Sequence, residues 1–116
     1  MTLLHAAGAL VVFAAAAIGT LAAGAAGLRG GAGWVDALRK GVTAVVVVEA
    51  AIGAVAYLSG ARPGEPLHLV YAVAAIGLLP LAAIFASEAP ARPRSWVLAG
   101  ALGILLLVLW RLSSTG

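Results

Sequence analysis

Cysteine is absent from the 116-residue chain. Disulfides, thiolate metal sites and thiol nucleophiles are excluded with it, as is any reading of the compartment from redox chemistry. Charge is nearly as scarce. Only 9% of residues are Asp, Glu, Lys or Arg, and nothing resembles a paired-carboxylate hydrolase site, a phosphate-binding loop or a nucleophile elbow. The formal net charge is +3 and the pI near 10.2. The basic residues nevertheless lie in short connections rather than along one face, which argues against a nucleic-acid partner. Histidine occurs twice, as His5 and His68. Any chemistry has to come from His, Glu, Tyr and Arg.

Apolar residues fill the rest. They make up 64% of the chain, and the mean hydropathy of +1.13 lies far above the soluble globular range. The lipid bilayer is therefore the expected surroundings. Four blocks approach the spanning length of about 20 residues: residues 3–28, 41–59, 67–87 and 96–112. "AAGAAG" in the first resembles a small-residue cleavage site, but no Lys or Arg precedes the apolar run, so the block reads as a span. Arg29, Arg39 and Lys40 lie in the first connection and Arg92 and Arg94 in the third, against Arg62 in the second and Arg111 near the C-terminus. That imbalance puts the first and third connections in the cytoplasm and both termini outside. The expected fold is all-α: a four-helix transmembrane bundle of up-down topology, forming a single domain over residues 1–116.

Smaller signals refine this expectation. Trp96 and Trp110 bracket the fourth span, and Trp34 lies in the first connection, where interfacial aromatic anchors belong. In "LRGGAGWVDALRK", Asp36 and Lys40 stand at i,i+4, which suggests a short surface helix before the second span. Gly8, Gly19, Gly53, Gly77, Gly100 and Gly103 supply the small residues that let helices approach in lipid. Pro80, inside the third span, removes a bond to the Ile76 carbonyl and predicts a kink. "LHAAGA" from Leu4 and "LHLVYA" from Leu67 resemble each other, each placing Leu-His at the start of a span, as in two parallel halves.

Both of these spans run from outside to inside, so His5 and His68 fall at nearly one depth near the outer face. Two imidazoles at matched depth on separate helices are what six-coordinate haem requires. An interfacial histidine also reaches headgroups or water with no ligand at all. Zinc and copper are poorly served by two histidines lacking a carboxylate pair, with Met1 the one further soft ligand nearby. Gly8, three residues after His5, and Gly53 would let a porphyrin edge approach. Tyr71, one turn from His68, and the outer cations Arg62 and Arg111 would meet propionates or headgroups. Glu49 is the one acid deep within a span, where an ionised group costs about 3 kcal/mol. Its face continues through Gly53 to Tyr57. It reads as a proton relay, a partner of a buried group, or a protonated acid bonded to a carbonyl. At 1.5 Å per residue it would lie about 15 Å below the outer end of its helix, too deep to share a metal with the histidines.

The run "EAAIGAVAYLSGARPGEPLHLVYA" carries Ile52-Gly53, a Gly/Pro turn from Gly60 to Pro63, and Leu67-His68-Leu69 opening the next span. In this it resembles one four-helix half of the haem A synthase family, over about residues 4–86. The resemblance implies two histidines near the outer face, His5 and His68, with a b-type haem held in one half. His5 is followed by Ala6 and preceded at four residues by Met1, where the family has Arg and a catalytic Glu, so oxidation of a haem methyl group is not expected. The leading expectation is haem b between His5 and His68, for electron transfer or haem holding in a prokaryotic plasma membrane, with a redox partner or other membrane subunits nearby. One alternative is a non-catalytic subunit of a larger respiratory membrane complex. Another is a small proton-coupled exporter using Glu49.

Overall fold

In lipid, only a structure that satisfies its own backbone can span, and long Ala, Val and Leu runs do so as helices. The computed structural model describes residues 3–115 and contains four: α1 (Leu3–Leu28), α2 (Trp34–Leu58), α3 (Leu67–Phe85) and α4 (Ala91–Thr115). All four are long and apolar enough to cross a membrane. α1 packs on α2 and α4, and α3 packs on the same two, leaving the backbones of α1 and α3 apart across the diagonal. The topology is the expected up-down bundle. One end carries the α1–α2 and α3–α4 connections and is called here the basic end. The other, with His5 and His68, is the histidine end.

The tightest seam joins α1 to α4. Val12, Ala16, Gly19, Ala23 and Ala26 are buried along α1 at alternating spacings of four and three, the heptad rhythm of two packed helices. Facing them, Leu98, Leu102, Leu105 and Leu109 of α4 are buried at the same rhythm. Small residues on one helix thus receive large ones from the other. A Cβ at Gly19 would stand 3.4 Å from both Leu102 methyls. Since lipid tails offer no hydrophobic drive between helices, this close fit is what holds the seam.

Two helices are longer than expected. α2 begins at Trp34 rather than at residue 41, because "WVDALRK" continues the helix outside the apolar window. Asp36 pairs there with Arg39 at 3.2 Å and Lys40 at 3.7 Å, and no separate surface helix forms. α4 begins at Ala91, with Pro93 in its first turn where proline is tolerated, and extends to Thr115. At 1.5 Å per residue, these 25-residue helices run about 38 Å, beyond a hydrocarbon core of about 30 Å. α3 ends at Phe85, two residues short of the expected limit, and runs through Pro80 as one helix.

Burial is uneven along the bundle. None of residues 3–11 of α1, 47–58 of α2 or 67–74 of α3 is buried, whereas Val35, Val42 and Val46 of α2 and Ala75 and Leu79 of α3 are. The core fills the basic half. Toward the histidine end it narrows to Leu105, Leu109 and Thr115 of α4.

Candidate functional site at the histidine end

His5 stands within the first turn of α1, and its Nδ1 contacts Oε1 of Glu49 on α2. This pair is seated by two glycines in a reciprocal manner. Gly8, one turn along from His5, makes room for the carboxylate: a Cβ there would come within 2.7 Å of Glu49 Cδ. Gly53, one turn along from Glu49, makes room for the imidazole, since its Cβ would lie 3.0 Å from His5 Cε1. The side chains are mostly covered, at 17% and 12% exposure. The pair therefore meets with little water around it.

His68 opens α3 and meets the end of α4. Its Nδ1 is 3.2 Å from Thr115 Oγ1. The Thr115 hydroxyl also lies 2.9 Å from the Arg111 carbonyl and 3.3 Å from that of Leu112, either of which can take its proton. When Thr115 accepts from Nδ1, the neutral ring keeps its lone pair on Nε2. The Leu112 carbonyl stands beside the same ring. The Glu65 N–H donates to the Thr115 carbonyl at 3.0 Å, closing the α2–α3 connection over α4.

Both histidines thus occupy the same end, on the diagonal helices α1 and α3. Each has Nδ1 directed at an oxygen of a neighbouring helix. Among the described residues no three His, Asp or Glu side chains gather into one ligand cluster. The pair His5–Glu49 and the pair His68–Thr115 are separate units.

The other candidates fall around them. Arg111 lies over the Tyr71 ring at 5.7 Å. Arg62 is engaged locally: its guanidinium lies 4.3 Å over Tyr57 and donates to the Tyr57 carbonyl at 2.7 Å. It therefore caps the end of α2, while Arg111 lies one turn before Thr115, the residue that meets His68. Gly8 and Gly53 face Glu49 and His5 rather than open space. Met1 lies outside the described residues.

A residue count along α2 puts Glu49 too deep to share a metal with the two histidines, yet the structure brings it against His5. The count assumed that the outer ends of α1 and α2 are level. In fact α2 passes beyond the start of α1, which brings residues 49–53 opposite His5. The readable signal was the spacing itself: histidine with glycine at i+3 on one helix, and glutamate with glycine at i+4 on another. Thr115 carried no such signal. Comparison with protein-family models, curated proteins and solved structures finds no match for the chain.

Proposed function

We propose that the histidine end holds a b-type haem, with His5 and His68 as the residues that would bind its iron, and that the protein serves electron transfer or haem holding on the outer side of a prokaryotic plasma membrane. The observation that carries this reading is the paired placement of the imidazoles, at one end of the bundle on diagonal helices, each with Nδ1 against an oxygen of a neighbouring helix. Axial histidines need that partner to fix ring orientation and tautomer. The thin packing of this half supports the reading as well, since none of residues 3–11 of α1, 47–58 of α2 or 67–74 of α3 is buried. Haem iron, when bound, supplies reversible one-electron exchange. Glu49 orients His5, Thr115 orients His68, and Arg111 with Tyr71 offers positive charge and a hydroxyl at the rim.

The test is an absorption spectrum of the purified protein, produced with added haem precursor. The expected result is a Soret band that is lost in His5→Ala and in His68→Ala. Glu49→Gln should keep the band but weaken haem affinity by about tenfold, as for a partner that orients a ligand. A colourless protein that also fails to take up added hemin would reject the reading.

A second reading rests on the His5–Glu49 contact alone. A carboxylic acid and an imidazole sharing a proton inside a membrane are suited to proton-coupled export. A colourless protein whose Glu49→Gln variant loses proton-driven efflux would favour it.

A further inference from the structure

At the opposite end, a groove of about 460 Å³ opens between the start of α2, the end of α3 and the start of α4. Its floor is apolar, formed by Pro80, Ala83, Ile84 and Leu98, and its rim holds Arg39, Lys40 and Arg94 against the single acid Asp36. Three cations and one carboxylate leave two positive charges at a membrane-facing opening. Arg94 is fixed in place, donating to the carbonyls of Ala86, Ser87 and Ala89 at 3.0–3.3 Å and so capping the end of α3. Asp36 holds Arg39 at 3.2 Å and draws Lys40 to 3.7 Å, which aims both cations at the same rim.

The geometry points to a binding site for an anionic phospholipid. Its phosphodiester would sit among Arg39, Lys40 and Arg94, and an acyl chain would lie along Ala83, Ile84 and Leu98. Charge complementarity selects the headgroup: a phosphodiester with a net negative charge balances this rim, while a zwitterionic one brings its own cation into it. The level of the groove fits as well. α2 and α4 carry their first turns beyond the apolar core while α3 stops at Phe85, so the cations lie in the headgroup zone and the apolar floor lies in hydrocarbon. This site is independent of the haem reading.

The experiment uses the full chain in neutral detergent, with phosphatidylglycerol and phosphatidylcholine of identical acyl chains added in turn and inorganic phosphate as a third arm. Thermal unfolding and native mass spectrometry read the result. Phosphatidylglycerol is expected to raise the melting temperature and remain bound, and phosphatidylcholine is not. Lys40→Gln, at a side chain that is 69% exposed and so free of any packing role, should weaken phosphatidylglycerol binding about fivefold, the effect of one cation near an anionic headgroup. Ala83→Phe, which fills the floor, should abolish binding while helical circular dichroism reports its fold. Equal stabilisation by the two lipids, an unchanged Lys40→Gln, or the same shift from inorganic phosphate alone would each overturn the assignment.

Discussion

Gly8 decides what Glu49 can do. The carboxylate occupies the space where any larger residue's Cβ would be, within 2.7 Å of its Cδ. The end of a glutamate is flexible, so Gly8→Ala need not unfold the helix; the carboxylate has to swing off His5 instead. The sign of the effect is informative, because alanine in a helix interior is otherwise favoured over glycine by about 1 kcal/mol. Gly24, with nothing within 4 Å of its Cβ position, is the control. Gly24→Ala is expected to raise the melting temperature in detergent. Gly8→Ala is expected to gain nothing or fall below the parent, and to lose the His5 Nδ1 proton resonance that the Glu49 contact protects. A Gly8→Ala protein as stable as Gly24→Ala, with that resonance intact, would show that the carboxylate does not sit where the structure places it.

At the scale of elements, the connections do more than join helices. The α1–α2 turn is pressed against the start of α4: Ala32 N–H donates to Ser95 Oγ at 3.3 Å, and Trp96 covers Gly27, whose Cβ would lie 2.8 Å from the indole. Gly30 and Gly31 both have positive φ, of 99° and 98°. They differ in their surroundings: a Cβ at Gly30 meets nothing, whereas one at Gly31 would lie 2.5 Å from the Ala91 carbonyl oxygen, part of a backbone that cannot step aside. Gly30→Ala should therefore cost only the conformational penalty of about 1–2 kcal/mol. Gly31→Ala should cost distinctly more, read as a lower midpoint in chemical or thermal unfolding. Equal losses would mean that the turn does not touch α4.

These same elements show what could be read in the chain. The end of α2 near Ser59 and the start of α3 at Leu67 were legible because Gly60 (φ 109°) and Pro66 punctuate them. The starts of α2 and α4 were not, because hydropathy marks where hydrocarbon begins, not where a helix does. Asp36, Arg39 and Lys40 stabilise helix outside the apolar window, and so do the first residues of α4. The site divides similarly. That His5 and His68 share an end followed from topology alone, while the Glu49 contact depends on how far α2 slides past α1, which packing settles and a residue count does not.

Across the whole molecule, the two ends are built differently. The basic half has the leucines, valines and small residues of the core, and its end carries the cations Arg29 of the α1–α2 turn, Arg39 and Lys40 of α2 and Arg92 and Arg94 of α4. The other half is thinly packed and carries both histidines. If charge sets orientation, the basic end is cytoplasmic and the histidine end faces outward. A chain without cysteine gives no background in thiol labelling, so single substitutions at exposed serines read this directly. Ser113→Cys, near the end of α4, is expected to react with a membrane-impermeant maleimide on intact cells. Ser87→Cys, in the α3–α4 connection, should react only after the cells are opened. The reverse pattern would turn the bundle over, placing the paired imidazoles on the cytoplasmic side and confining any redox partner of the proposed haem to that compartment.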